Sequence, residues 1–306
     1  MKRLLTTGLR RVFSAALGTA GFFAVVEKLA WWNIARERAK RSYLGDLLYV
    51  ETKGNGPPIV FLAGLQGSTR YWCGAFDSLA TSNRLIDVDA LGFGRSPWPL
   101  HEPTLEDHLA WLRRTFVAQG AREHITIVAH SFGTILAAYY AALYPDGIDR
   151  LVLLGTPIFQ GVADAKMRIR AMSELSALFS LNPVLAREAC LLMCAFRPFF
   201  RWLARRVSSL PSNVAEDAVL HDWPSIKGAI RNILLACPIE EALSKVRSAV
   251  VFIHGSKDPV APLSRVQEVA AAIHASVIVV DGDHQAYVRS ARSTVLDVLG
   301  SAMGEP

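Results

Sequence analysis

The chain has 306 residues, of which 51% are hydrophobic and 20% are charged, so it can bury a sizeable core and is not expected to be disordered. Its net charge is +6, and Lys and Arg cluster near the N-terminus and in mid-chain instead of forming a basic stripe, which excludes nucleic acid as an expected partner. The cysteines show no paired metal-ligand spacing, so we expect free thiols, no metal and no cofactor. They are Cys73, Cys190, Cys194 and Cys237.

Residues 1–40 form a candidate membrane-targeting segment. Basic residues precede an apolar stretch at 12–26, and Trp31 and Trp32 follow it. A cleaved secretory peptide, a signal anchor, an amphipathic helix in the membrane interface and a soluble packing helix all fit this pattern. Residues 18–20 offer only a weak cleavage site, and we favour an uncleaved membrane anchor that makes the protein membrane-associated. Export and a cytoplasmic location remain the alternatives.

Strand-like and helix-like patterns alternate after residue 41. Short apolar or β-branched runs predict strands at 47–52, 59–62, 85–89, 125–129, 151–155, 249–254 and 277–280. Helices are expected at 72–80, 104–119, after residue 131, and at 263–273 and 287–302. Thr104 and Asp107 form an approximate capping box for the second of these. The alternation is typical of a mostly parallel α/β sheet.

Residues 158–245 are much longer than a simple crossover and have a helical pattern. We therefore predict a helical cap at 158–245, inserted into a core of residues 41–157 and 246–306. Within the cap, the run Phe196–Trp202 and the following Arg205 and Arg206 interleave aromatic and basic residues. They fit either a packed helix with a solvated face or a cap whose apolar side lines an acyl pocket while its arginines meet anionic headgroups.

The run Ile125–Ala138 is an apolar strand that breaks at Ser131 and continues as an alanine-rich helix. Ser131 lies between the small residues Ala129 and Gly133, close to the G-x-S-x-G pattern of a nucleophile elbow, with Ala129 in place of the first glycine. Such a turn exposes the serine hydroxyl and leaves free N–H groups at the helix start. The N–H of Phe132 is then a candidate donor to a developing oxyanion.

Asp258 and His284 each follow a predicted strand, so the order is serine, acid, histidine. With these motifs the chain resembles the α/β-hydrolase superfamily over about residues 45–300, in its cap-bearing esterase, lipase and peptidase-like branch. The resemblance implies that Ser131 attacks, His284 carries its proton and Asp258 orients the imidazole. Asp283 is the competing acid, and its adjacency to His284 disfavours it.

The resemblance also assigns the second oxyanion donor to the backbone N–H of Leu65, with Ala63 standing where the family often has histidine. The segment Asp89–Ser96 matches a family pattern that is structural. We assign His130 to packing and His254 to a strand end, and His221 shows no partner pattern.

We expect a serine hydrolase that cleaves a carboxylic ester or related acyl bond through an acyl-enzyme, on a small, apolar substrate. A membrane surface is a possible partner through residues 1–40. An acyltransferase of the same fold and a non-catalytic binding protein are the alternatives, and the oligomeric state is left open.

Overall fold

A computed structural model describes residues 2–172, 182–260, 262–288 and 290–301, with the side chains of residues 2–20, 170–172, 288 and 301 outside this description. Within these residues seven strands form one sheet in the order β1-β3-β2-β4-β5-β6-β7. The pair β1 and β3 is antiparallel, and the other neighbours are parallel. The predicted α/β class with a mostly parallel sheet is confirmed. The strands are β1 (Val50–Lys53), β2 (Pro58–Leu62), β3 (Arg84–Val88), β4 (Ile125–His130), β5 (Ile148–Leu154), β6 (Ala249–Gly255) and β7 (Ser276–Val280).

Helices precede the sheet, cover it and fill the interval between β5 and β6. They are α1 (Lys2–Arg41), α2 (Leu105–Ala118), α3 (Phe132–Leu143), α4 (Val162–Met172), α5 (Pro183–Ala195), α6 (Arg197–Val207), α7 (Ser212–Asp217), α8 (Trp223–Gly228), α9 (Ile239–Leu243), α10 (Leu263–Ala272) and α11 (Arg292–Ser301). A π-helical turn, Ala229–Leu234, continues α8. The region 158–245 is thus helical wherever it is described, apart from its connecting turns.

Local signals explain where several elements begin. Each residue of β2 is buried, as its continuous apolar run predicts for a central parallel strand. Helix α2 has the predicted capping box: the Asp107 N–H donates to the Thr104 hydroxyl at 3.2 Å, and the Thr104 N–H donates to the Asp107 carboxylate at 2.9 Å.

The helix predicted at 72–80 is wrong. Two 3₁₀ segments, Thr69–Trp72 and Asp77–Thr81, occupy this stretch instead. Between them Cys73 and Gly74 have φ angles of 50° and 68°, and successive left-handed residues cannot continue a right-handed helix. The helix predicted at 287–302 begins only at Arg292, after a 3₁₀ turn, and residue 302 lies outside the described residues.

Helix α1 packs along α5 through its C-terminal part. Val26, Ala30 and Ile34 are buried, whereas Phe22 and Phe23 are 55% and 53% exposed. Among the described residues, no helix combines the length and apolarity that crossing a membrane requires.

Candidate active site

Ser131 lies at the turn between β4 and α3, with φ 50° and ψ −120°. This conformation is unfavourable for a residue with a Cβ atom by about 1–3 kcal/mol, and the surrounding chain must hold it. The Ser131 N–H donates to the carbonyl of Leu154 at 2.9 Å. A Cβ atom at Gly133 would lie 2.6 Å from the Leu62 carbonyl oxygen, so only glycine fits there and the elbow can approach β2 closely.

The structure brings Ser131, His284 and Asp258 together from three strand ends. Ser131 Oγ lies 2.9 Å from His284 Nε2, and His284 Nδ1 lies 2.7 Å from Asp258 Oδ2. The side chain of Asp258 has no exposed surface, and that of His284 is 10% exposed. These are the contacts that a nucleophile, a base and an orienting carboxylate require.

Burial raises the pKa of Asp258, but the hydrogen bond and charge of His284 and the N–H of Val260 outweigh it, so the net pKa lies below its usual range. Asp258 is therefore ionised near neutral pH and can hold the Nδ1–H tautomer of His284. Asp283 instead accepts the N–H of Gln285 at 2.8 Å.

His130 packs beneath the site and also bonds to it. Its ring stacks on Tyr71 at 5.1 Å, and burial and the neighbouring His284 lower its pKa to about 3, so it is neutral. Its Nε2–H then donates to the backbone carbonyl of His284 at 2.8 Å. The sequence indicated the packing but missed this bond, for which adjacency to Ser131 was the available signal.

The Gly64–Gly67 loop follows β2 and lies against the elbow. A Cβ atom at Gly64 would lie 2.9 Å from His130 Nδ1 and 3.2 Å from the Ser131 Cβ, so a larger residue would press on both side chains. Within the described part of the chain, the N–H groups of Leu65 and Phe132 have no hydrogen-bond acceptor. The N–H of Gly67 donates to the Gly64 carbonyl at 2.9 Å, which closes the turn directly after Ala63.

Asp89 has a structural environment, as expected from its motif. It is fully buried and accepts the backbone N–H groups of Thr69 and Arg95. It does not line the cavity that contains Ser131.

A cavity of about 280 Å³ opens beside Ser131. The Gly64–Gly67 loop, Tyr71, His130, His284 and Gln285 form its sheet-side wall. Apolar residues from the region between β5 and β6 form the other wall, namely Ile169, Leu210, Val214, Ala218, Ile230 and Leu234. Because these residues belong to the region predicted to form a cap, we call this wall the cap-side wall. The aromatic run Phe196–Trp202 does not line it.

One contact of the cavity-lining residue Gln66 was not indicated by the sequence. The side-chain amide of Gln66 lies 2.8 Å from Nε2 of His221, which is buried. Among the described residues, no group of three or more His, Cys, Asp or Glu side chains is arranged to hold a metal ion.

Comparisons with known proteins agree with this architecture. A family model described as the alpha/beta hydrolase fold matches residues 57–186. A probable lysophospholipase, BODYGUARD 1 of Arabidopsis thaliana, is 27% identical over 67% of this chain and 49% of its own length. A 1-acylglycerol-3-phosphate O-acyltransferase of the same plant is 29% identical over 45% of this chain and 34% of its own length.

The curated relatives are longer than their matched regions, and this chain spans about half the length of the first of them. Among solved structures, a hydrolase from Oleispira antarctica superposes with a TM-score of 0.66 at 15% identity, over 87% of this chain and 98% of the other. That likeness concerns the fold.

Proposed function

The chain has the α/β-hydrolase fold, and we propose that it is a serine hydrolase that cleaves carboxylic esters of apolar acyl groups. One observation carries the proposal: Ser131 Oγ, the His284 imidazole and the Asp258 carboxylate form a continuous hydrogen-bonded chain, with distances of 2.9 Å and 2.7 Å, at an apolar cavity.

In this mechanism Ser131 Oγ attacks the ester carbonyl carbon while His284 Nε2 takes the hydroxyl proton. The charge that develops on the carbonyl oxygen is stabilised by the backbone N–H groups of Leu65 and Phe132. His284 then protonates the leaving alcohol, and an acyl-enzyme remains on Ser131. Water, deprotonated by His284, attacks the acyl-enzyme and releases the carboxylic acid, while Asp258 stabilises the imidazolium in both steps.

The cavity favours an amphiphile with one acyl chain. Its volume of about 280 Å³ is just below the usual range of about 300–1,000 Å³ for small-molecule sites, which disfavours two chains side by side. A lysophospholipid-like ester is consistent with this size and with the names of the curated relatives. An acyltransferase, favoured by one relative's name, would use the same acyl-enzyme and pass the acyl group to an alcohol.

A fluorophosphonate probe tests the nucleophile. We expect labelling of the wild-type protein, no labelling of Ser131→Ala, and unchanged labelling of the control Ser256→Ala, whose hydroxyl bonds to Asp281 instead. Hydrolysis of p-nitrophenyl esters should fall by at least about 10⁴-fold in Ser131→Ala.

Folded wild-type protein that neither reacts with the probe nor hydrolyses any ester would contradict the proposal and favour a binding role. If adding glycerol or a lysophospholipid makes an acylated alcohol replace the free carboxylic acid as the product, the acyltransferase is favoured.

We also propose that the protein lies on anionic membrane surfaces through α1 and α6. Trp32, Phe199 and Trp202 are 56%, 55% and 43% exposed, and Arg36 and Arg206 stack on the tryptophan rings. Aromatic side chains with neighbouring cations suit the headgroup region of a bilayer.

Phe199→Ser combined with Trp202→Ser should weaken sedimentation with phosphatidylglycerol vesicles. The control Leu100→Ser, at a side chain that is 81% exposed elsewhere, should not. Equal binding of all three proteins would contradict this location.

A further inference from the structure

Gln66 has an unfavourable backbone conformation within the Gly64–Gly67 loop. Its φ angle is 63°, in the left-handed region that residues with a Cβ atom rarely adopt. The residue directly before it, Leu65, carries the proposed oxyanion donor. Such a conformation persists only where the surrounding structure holds it.

His221, a buried residue of the region between β5 and β6, supplies that restraint. The Gln66 side-chain N–H donates to His221 Nε2 at 2.8 Å, which leaves the imidazole proton on Nδ1, facing the Asp222 carbonyl at 3.4 Å. Burial and the positive charge of Arg197 lower the pKa of His221 to about 4, so the ring is neutral and can accept this bond.

His221 is itself held on both sides of its backbone. The Arg197 guanidinium donates to the His221 carbonyl at 3.0 Å. The next residue, Asp222, is fully buried and accepts bonds from Arg38 of α1 at 2.8 Å and from the N–H of Ser225 at 3.0 Å. The imidazole therefore has a fixed position relative to α1, α6 and α8.

A second contact leads from His221 towards the other proposed donor. The His221 ring lies 6.1 Å from that of Phe93, which packs at 6.2 Å, edge to face, on Phe132. His221 thus contacts the supports of both backbone N–H groups that would face the oxyanion.

We propose that His221 is a positioning residue that holds the Gly64–Gly67 loop, through Gln66, in the conformation that aims the Leu65 N–H at the oxyanion. The inference rests on the proposed function, because it concerns the same reaction. It joins helix α1 to the chemistry through Arg38, Asp222 and His221 without any of them touching the substrate.

The test is a double-mutant cycle on a soluble short-chain p-nitrophenyl ester. Gln66→Ala and His221→Ala should each lower kcat about 10-fold or more and leave KM within about twofold, since complete loss of one oxyanion donor lowers kcat about 10²- to 10³-fold. The double variant should be no worse than either single variant, because both remove the same bond. Gln66→Gly should retain more activity than Gln66→Ala, because glycine adopts the left-handed conformation freely.

Ile226→Ala, a buried change in the neighbouring helix α8, controls for general loosening of this region and should leave kcat nearly unchanged. The Gln66 variants keep the test valid if His221→Ala folds poorly, because Gln66 is only half-buried.

An active wild-type protein whose kcat is insensitive to these changes overturns this inference alone. So does an effect confined to KM, or losses that multiply in the double variant. An inactive wild-type protein overturns the proposed function and this inference with it.

Discussion

The two walls of the cavity are built differently. On the sheet side, hydrogen bonds of 2.7–2.9 Å fix the imidazole of His284 and its backbone carbonyl. On the cap side, apolar side chains such as Val214 and Leu234 make contacts without preferred directions. Directional bonds require particular atoms at particular places, so under the proposed function that wall would set the chemistry. Apolar contacts require only volume, so under the same proposal the other wall would select the acyl group.

The largest effect should come from the sheet-side wall. Asp258→Asn keeps the shape of the side chain but cannot hold His284 in the working tautomer, so we expect kcat for p-nitrophenyl esters to fall about 10⁴-fold. Asp283→Asn is the matched control, and its kcat should stay within about threefold of wild type. Comparable losses in both variants would contradict the assignment of Asp258, and not Asp283, as the carboxylate that orients His284.

The region between β5 and β6, which supplies the cap-side wall, is joined to α1 by an ion pair between Arg38 and Asp222. The side chain of Arg38 is 19% exposed and that of Asp222 is not exposed. Arg38→Ala leaves a buried carboxylate without its partner, so the free energy of unfolding in urea should fall by about 3 kcal/mol. Arg36→Ala changes an exposed residue of α1, two positions before Arg38, and should lower the free energy of unfolding by less than about 1 kcal/mol. Equal, small effects would mean that α1 contributes little to this wall.

A larger side chain in the cap-side wall should change which acyl-chain lengths are hydrolysed without changing the catalytic chemistry. Leu234→Trp reduces the cavity, so kcat/KM for octanoate and longer esters should fall about 10-fold relative to the acetate ester. The control Leu143→Trp, at a side chain that is 56% exposed on α3, should leave the chain-length profile unchanged. A uniform loss across all chain lengths would instead indicate damage to the sheet-side wall.

The smallest expected effect concerns a polar cavity of about 200 Å³ that includes Asp87 but no member of the Ser131 site. Burial, and then the charge of Glu51, raise the pKa of Asp87 from 3.8 to about 7. The folded chain then keeps a proton that the unfolded chain releases, so stability falls as pH rises from about 4 to about 7 and the penalty is complete above that.

Asp87→Asn removes this penalty. Its gain in unfolding free energy over wild type should be larger at pH 8 than at pH 5, by about 1 kcal/mol after allowance for solvent screening. Activity should not change. The exposed control Asp146→Asn should show no such pH dependence, and a gain that is equal at both pH values would contradict the raised pKa.

The sequence predicted the sheet-side features because they are local. Ser131, Asp258 and His284 each follow an apolar run that is typical of a strand, and parallel strands bring their C-terminal ends to one edge. The bond between Gln66 and His221 joins residues 155 apart, and no spacing rule indicates it. The helix predicted at 72–80 was wrong because the residue pattern does not indicate the left-handed backbone at Cys73. The apolar cap-side lining depends on how several helices pack, which propensity does not determine.

The packing of α1 also has a consequence for synthesis on the ribosome. Asn33 donates to the carbonyls of Cys194 and Ala195, so this helix leaves the ribosome 161 residues before its partner does. At typical elongation rates of about 5–20 residues per second, the delay is about 8–30 s. Throughout it, the apolar stripe of Val26, Ala30 and Ile34 has no partner from α5. We expect nascent chains stalled before residue 195 to bind chaperones or lipid through α1, and longer nascent chains to release them.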